Sequence, residues 1–200
     1  MEFGALDQAM ALMEQDSDPE PDLFRRQFDM ALLTGQEDAA CARMRDRPAL
    51  APGLSARVYC LARGDDWPSA ATTLDAGTAL GEIGPGESGV LARFLEPELA
   101  EDEALAPPSP MTPLIWRVME AAGDPLPSQN LPLAYAQADL RSNTGWKARL
   151  EAGERLTRSG ALAANALHGL YAERAPAASG GVWDRARAIQ DLDQEMLEAE

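Results

Sequence analysis

One order of residue types occurs twice between residues 31 and 80. It appears first as Ala31-Leu32-Leu33-Thr34-Gly35-Gln36-Glu37-Asp38-Ala39-Ala40-Cys41-Ala42-Arg43-Met44, and again as Cys60-Leu61-Ala62-Arg63-Gly64-Asp65-Asp66-Trp67-Pro68-Ser69-Ala70-Ala71-Thr72-Thr73-Leu74. In both copies an apolar helix end is followed by glycine, by an acidic or amide residue, and by a helix that opens on small residues. Glycine ends a helix at low cost because it can adopt the left-handed backbone conformation. The stretch therefore predicts short helices joined as hairpins.

The residues after each glycine resemble those of a known repeat. Ala40 and Met44 are four residues apart, as are Ala70 and Leu74, so each pair shares one helical face. Glycine, a polar residue, alanine and a larger apolar residue in this order resemble the second half of a tetratricopeptide-type repeat. The two glycines are 29 residues apart, whereas that family repeats about every 34 residues. Its first-helix signature of tryptophan, leucine-glycine and tyrosine is absent from both copies. The resemblance implies stacked helical hairpins.

The composition of the whole chain favours helix. Ala and Leu dominate the apolar residues, Val and Ile never form a run, and no window alternates apolar and polar residues over a strand length. Apolar residues instead recur at helical spacing, as in Phe24, Phe28 and Leu32. We expect an all-α protein of about ten helices, stacked as helical hairpins into a right-handed α–α superhelix of the solenoid type.

The chain is strongly acidic, with 33 Asp and Glu residues against 17 Lys and Arg and a formal net charge of -16. Such a surface repels phosphate backbones, so we expect no nucleic-acid partner. Residues 1–111 hold 21 acidic and 8 basic residues, a net of -13, and residues 112–200 hold 12 and 9, a net of -3. The acidic half would favour a basic partner, although an acidic surface also serves solubility alone. No apolar run approaches the roughly 20 residues that span a bilayer, and residues 1–15 show no secretory leader.

A change in composition at residues 97–111 marks the expected domain boundary. This segment is acidic and then proline-rich, ending in Pro107-Pro108-Ser109-Pro110 before Met111. Such a composition is typical of an extended linker. We therefore expect N-terminal helical hairpins over residues 1–96, a linker over 97–111 and C-terminal helical hairpins over 112–200. The two sets of hairpins could also form one continuous superhelix.

The only two cysteines, Cys41 and Cys60, flank a presumed turn from Pro48 to Gly53. They lie at equal distances from its middle, and such residues reach the same height in an antiparallel helical hairpin, so the pair could form a disulfide bond. The alternative is two buried free thiols. A disulfide would indicate an oxidising compartment such as the periplasm, and its absence the cytoplasm. Two cysteines and one distant histidine do not supply the ligands of a zinc site.

No set of residues in the sequence is typical of catalysis. His168 is the only histidine, and no nucleophile and orienting carboxylate accompany it in a recognisable pattern. The Ser-Gly-Gly turn at residues 179–181 lacks the spacing and the lysine of a phosphate-binding loop. We therefore expect no catalytic residue, no cofactor and no metal ion. Trp183, Asp184 and Arg185 follow this turn and are candidates for anchoring a ligand, unless Trp183 simply fills the core.

These patterns favour a non-catalytic helical-repeat scaffold that binds a protein or peptide partner, an expectation that rests on fold analogy. Helical superhelices also occur as the non-catalytic part of periplasmic cell-wall lytic transglycosylases, and residues 170–185 resemble such a region. The alternative is therefore that the chain is a part or a relative of such an enzyme. A third interpretation is a structural or oligomeric subunit.

Overall fold

The structure is a computed structural model that describes residues 4–13, 19–99 and 106–199 of the chain. These residues form ten α-helices and contain no β-strand, which confirms the expected all-α fold of about ten helices. The α-helices are α1 (Leu6–Met13), α2 (Pro21–Thr34), α3 (Glu37–Asp46), α4 (Leu54–Arg63), α5 (Trp67–Ala79), α6 (Pro85–Leu95), α7 (Pro113–Ala121), α8 (Trp146–Arg158), α9 (Ala164–Ala172) and α10 (Val182–Glu198). Four 3-10 helices lie at Pro48–Leu50, Pro97–Leu99, Ser128–Asn130 and Leu133–Leu140. Within the described residues, no helix is long and apolar enough to cross a membrane.

The chain divides into two compact units. The central unit is Met10–Pro127, and the terminal unit combines Met1–Ala9 with Ser128–Glu200. This division differs from the expected boundary at residues 97–111, of which residues 100–105 lie outside the described part of the chain. The difference arises because α7, which follows that segment, contacts α2 and α6 and shares one hydrophobic core with them.

Helices of the central unit pack mainly against their neighbours in the sequence. Each helix from α2 to α7 contacts the next one, as stacked hairpins require, and α2 also contacts α7. Phe24, Phe28, Val58 and Leu91 are almost fully buried in the shared core. Burying a side chain of this size stabilises the fold by about 1.5–3 kcal/mol before the entropy of ordering it is subtracted. The superhelical shape of the chain as a whole stays a prediction.

The two glycines of the repeated pattern end their helices in different ways. Gly35 has a φ of 77°, the left-handed conformation that the sequence predicted. Gly64 has a φ of -92°, and Asp65 after it is left-handed with a φ of 61°. An aspartate tolerates this conformation better than most residues because its side chain can hydrogen-bond locally. The side chain of Asp66 then caps α5 by accepting a hydrogen bond from the backbone N–H of Ser69.

The terminal unit is organised around α8, which contacts α9, α10 and the 3-10 helix Leu133–Leu140. Leu133–Leu140 forms a 3-10 helix, which is wound more tightly than an α-helix. Its buried alanines pack closely on α8, where Ala136 and Ala152 belong to one apolar cluster. Gly153 permits an equally close approach of α9, because a Cβ there would lie 2.8 Å from a methyl carbon of Leu170.

Candidate functional site

The cysteines join two helices of the central unit. Cys41 on α3 and Cys60 on α4 form a disulfide bond, with their Cα atoms 5.1 Å apart. Of the two alternatives that the sequence leaves open, the structure contains the bridge. The 3-10 helix Pro48–Leu50 connects α3 to α4 along the chain, and the disulfide joins the same two helices a second time. The two helices therefore cannot separate while the bond is intact.

A surface cavity of about 560 Å³ lies beside the disulfide, and we call it the α3–α4 cavity. Its apolar lining is formed by Cys41, Ala42, Met44, Pro48, Cys60 and Leu61. Its charged lining is formed by Asp38, Arg45, Arg57, Arg63 and Asp66. The volume falls within the range of about 300–1,000 Å³ that is usual for ligand sites, and such sites combine apolar walls with a few polar groups.

Three of the charged groups in the cavity already have partners inside the protein. Arg63 donates a hydrogen bond from Nε to Asp38 Oδ1 at 3.0 Å, and its Nη1 lies 3.7 Å from Glu37 Oε1. Asp66 accepts the capping bond from Ser69 at 3.3 Å. Each of these three groups therefore has a hydrogen-bonding partner within the protein.

Arg45 and Arg57 differ from these groups because neither forms an ion pair or a side-chain hydrogen bond with any described residue. Both side chains are exposed at the cavity. Arg45 reaches toward the end of α4, where its Nη1 would lie 3.8 Å from a Cβ added to Gly64. A guanidinium is always charged at neutral pH and carries five N–H donors in a planar fork. The cavity therefore presents two cationic groups whose donors face water.

Behind the cavity, Glu37 is buried with only 2% of its side chain exposed. Its Oε1 accepts hydrogen bonds from the Tyr59 hydroxyl at 3.2 Å and from Nε and Nη2 of Arg117 at 3.1 and 2.8 Å. Burial, together with the negative charge of Glu37, raises the pKa of Tyr59 far above its ordinary value. Burial alone would lower the pKa of Arg117, but its hydrogen bond to Glu37 and the charge of Glu120 raise it. Tyr59 therefore stays protonated and Arg117 stays charged across the physiological pH range.

A second buried glutamate organises the terminal unit. Glu154 Oε1 accepts hydrogen bonds from the Tyr171 hydroxyl and from Arg185 Nε, both at 2.6 Å. Its Oε2 accepts from Arg185 Nη2 at 2.8 Å and from Arg158 Nη2 at 3.0 Å. Burial opposes ionisation, but the hydrogen bonds from Arg185 and Tyr171 outweigh it and lower the pKa of Glu154. Burial and the hydrogen bond to Glu154 raise the pKa of Tyr171 to about 12.

The binding candidates Trp183, Asp184 and Arg185 each have an internal partner. Trp183 packs against Trp146 with ring centroids 5.1 Å apart. Asp184 accepts a hydrogen bond from the backbone N–H of Gly180 at 2.9 Å, and Arg185 holds Glu154. The structure brings these residues into the packing of the terminal unit, and a ligand-binding role for them stays a prediction.

His168 lies on the exposed side of α9, where its Nε2 is 2.9 Å from Asp193 Oδ1 on α10. This is an ion pair or hydrogen bond between neighbouring helices. Among the described residues, no group of three or more His, Cys, Asp or Glu side chains could hold a metal ion.

No family model, curated protein or solved structure matches this chain. The resemblance to tetratricopeptide-type repeats and the alternative of a lytic transglycosylase relative therefore stay predictions. The α3–α4 cavity has to be interpreted from its own residues.

The arginines of the cavity were not among the residues singled out from the sequence, although a signal for them is present. Arg45 lies four residues after Cys41, and Arg57 lies three residues before Cys60. Residues three or four apart share a helical face, so a disulfide between the cysteines places both arginines on the joined faces. The signal can be used only once the pairing of the cysteines is known.

Proposed function

We propose that the protein is a non-catalytic helical scaffold that binds a protein or peptide partner, and that the α3–α4 cavity is where the partner docks. The observation that carries this proposal is the pair of unpartnered guanidinium groups, Arg45 and Arg57, at the edge of a partly apolar cavity. By contrast, Arg63 in the same lining and Arg117 on α7 are held by carboxylates of the protein itself. A free guanidinium pair beside apolar walls suits recognition because arginine can contribute both packing and directed hydrogen bonds.

The rigidity of the cavity supports the same proposal. The disulfide and the contact between Arg63 and Asp38 both connect α3 to α4. Binding to a site that is already ordered avoids much of the entropy loss that accompanies association. A cavity fixed in this way is suited to hold a short segment of a partner without rearranging.

The Cys41–Cys60 bridge also bears on where the protein acts. Disulfide bonds persist in oxidising compartments and are rare in the cytosol of most organisms. We therefore place the proposed binding function in an oxidising compartment such as the periplasm. Intact mass measurement of the protein isolated from its native source tests this placement, because the oxidised chain is lighter than the reduced chain by two hydrogen atoms.

Selection of displayed random peptides tests the proposed function. Peptides are selected against the wild-type protein and then compared for binding to two variants. Ala42→Trp puts a large side chain into the cavity, whereas Ala39→Trp places the same side chain at an exposed position of α3 that is not in its lining. We expect selected peptides to lose binding to Ala42→Trp and to keep it with Ala39→Trp, in fluorescence anisotropy with labelled peptide.

Two outcomes of the peptide selection would reject the cavity as the docking site. If no peptide is enriched, or if enriched peptides bind wild type and Ala42→Trp equally, the cavity is not the docking site. Circular dichroism of both variants must first show the helical content of the wild type, so that a loss of binding reports the filled cavity.

A further inference from the structure

We infer that the α3–α4 cavity recognises carboxylate groups, and specifically an acidic peptide segment that also carries an apolar side chain. This inference rests on the proposed function and adds the chemistry of the ligand. It departs from the expectation that the acidic half of the chain favours a basic partner. The local arrangement of charge at the cavity, rather than the net charge of the region, decides which ligand is attracted.

The charge balance of the cavity lining is the first step. The lining holds three arginines and two aspartates. Arg63 and Asp38 neutralise each other, and Asp66 keeps its negative charge while it caps α5. The lining therefore has a net charge of +1, and Arg45 and Arg57 are its two guanidinium groups without a partner among the described residues.

The chemistry of arginine sets the preferred ligand group. A planar guanidinium matches a carboxylate because two parallel N–H groups can reach its two oxygens. Glu154 illustrates that preference, since Arg185 donates from Nε to Oε1 and from Nη2 to Oε2, whereas Nε and Nη2 of Arg117 both donate to Oε1 of Glu37. A carboxylate from outside would complete the same interaction at Arg45 and Arg57.

The apolar part of the lining requires a second feature of the ligand. Pro48, Cys60 and Leu61 are at least partly exposed and form an apolar part of the lining that a carboxylate alone would not cover. An apolar side chain next to an acidic one would bury this surface while the carboxylate meets the arginines. A peptide with alternating glutamate and leucine satisfies both requirements, whereas a free dicarboxylate such as glutarate satisfies only the first.

Three displayed peptide libraries of equal length test the inference. All contain Leu, Ala, Gly and Ser, and they differ only in a fifth residue type, which is Glu, Gln or Lys. Peptides that bind the wild type but not Ala42→Trp depend on the unfilled cavity. We expect these peptides to come from the Glu library. Equal enrichment from the three libraries, or enrichment from the Lys library, overturns the inference and leaves the proposed function standing. No enrichment from any library rejects the proposed function itself.

Variants of the arginines then test the site. The best Glu peptide is titrated by fluorescence anisotropy against wild type, Arg45→Gln, Arg57→Gln and the double variant. Arg26→Gln is the control, because Arg26 is an exposed arginine of α2 outside the cavity. We expect the double variant to raise Kd at least about tenfold, each single variant to have a smaller effect, and the control to change Kd less than about twofold. An unchanged Kd in the double variant overturns the inference.

Competition with free glutarate shows whether the cavity prefers the carboxylate of a peptide or that of a small free acid. We expect glutarate to displace the labelled peptide only at concentrations at least about a hundredfold higher than those of unlabelled peptide. If glutarate displaced the labelled peptide at the same concentration as unlabelled peptide, the ligand of the cavity would be a small carboxylic acid. The inference that it is an acidic peptide would then be overturned.

Discussion

The α3–α4 cavity, together with the neighbouring Glu37 and Tyr59, and the surroundings of Glu154 both combine arginines with a buried glutamate and a tyrosine hydroxyl. The two regions differ in which arginines remain available to a ligand. Around Glu154, the arginine predicted to bind a ligand, Arg185, is held together with Arg158 by one carboxylate. At the cavity, Glu37 and Asp38 engage Arg63 and Arg117, and two further arginines remain. A charged residue near an aromatic ring therefore does not by itself indicate a binding site. What matters is whether the protein already supplies its counter-ion.

The two buried glutamates also differ in depth. Arg117, the partner of Glu37, has only 16% of its side chain exposed, whereas Arg185 and Arg158 at Glu154 have 52% and 70% exposed. A charge that loses its counter-ion is destabilising in proportion to how little water can reach it. The stability of the fold should therefore depend more strongly on Glu37 than on Glu154.

The largest expected effect comes from removing each glutamate in turn. We expect Glu37→Ala to lower the free energy of unfolding by about 3–5 kcal/mol, because Nε and Nη2 of Arg117 and the Tyr59 hydroxyl lose their buried acceptor, while Glu120 still pairs with Nη1 of Arg117. We expect Glu154→Ala to lower it by about 1–2 kcal/mol, because its arginines can be hydrated instead. Urea unfolding followed by circular dichroism measures both. Glu151→Ala on α8 serves as the control, because Glu151 is partly exposed and pairs with the exposed Lys147. Equal losses at Glu37 and Glu154 would contradict the assigned difference in depth.

Removing the disulfide is expected to have the next largest effect. The bridge closes a loop with a sequence separation of 19 residues. In the chain-entropy model, opening a loop of this size lowers the free energy of unfolding by about 3 kcal/mol. Cys41→Ala combined with Cys60→Ala should therefore show a lower urea midpoint than the oxidised wild type. Reduced wild type should fall near the double variant, and no difference between oxidised and reduced protein would show that the bridge does not constrain α3 and α4.

A smaller effect concerns the pH dependence of stability, which the two units influence in opposite directions. Burial raises the pKa of Asp29, on α2, from 3.8 to about 6, although Arg25 lowers it. Between these values the folded state binds more protons at Asp29 than the unfolded state, so its contribution to stability falls as pH rises. The pKa of Glu154 is lowered, so its contribution is lost as pH falls through that lowered value.

Asp29→Asn separates these two contributions. We expect this variant to be more stable than wild type at neutral pH by on the order of 2 kcal/mol, and the difference to shrink as pH falls toward 4. Urea unfolding at several pH values measures it, with Asp22→Asn, an exposed aspartate in the first turn of α2, as the control. A constant difference at every pH would show that Asp29 titrates as in an unfolded chain.

The sequence predicted those features whose physical cause is local. The helix end at Gly35 follows from the left-handed backbone conformation that glycine allows, and it is present. The close approach of Cys41 and Cys60 depends on a single hairpin, whose symmetry can be read from the spacing of its residues.

Features that depend on distant residues could not be obtained in this way. Glu37 and Arg117 are 80 positions apart, and Glu154 and Arg185 are 31 apart. Nothing in the local pattern around Arg185 identifies its counter-ion, and nothing around Arg45 indicates that it lacks one. Whether an arginine is free for a ligand is a property of the tertiary structure, so the composition alone pointed toward a basic partner.

The most direct test of the account is an NMR titration that observes the arginine Nε–Hε groups while the selected acidic peptide is added to the full chain. We predict that the signals of Arg45 and Arg57 shift and saturate at the Kd measured by anisotropy, while those of Arg158 and Arg185 stay in place. Shifts at Arg185 with none at Arg45 and Arg57 would contradict it, because the peptide would then recognise arginines that the protein already holds.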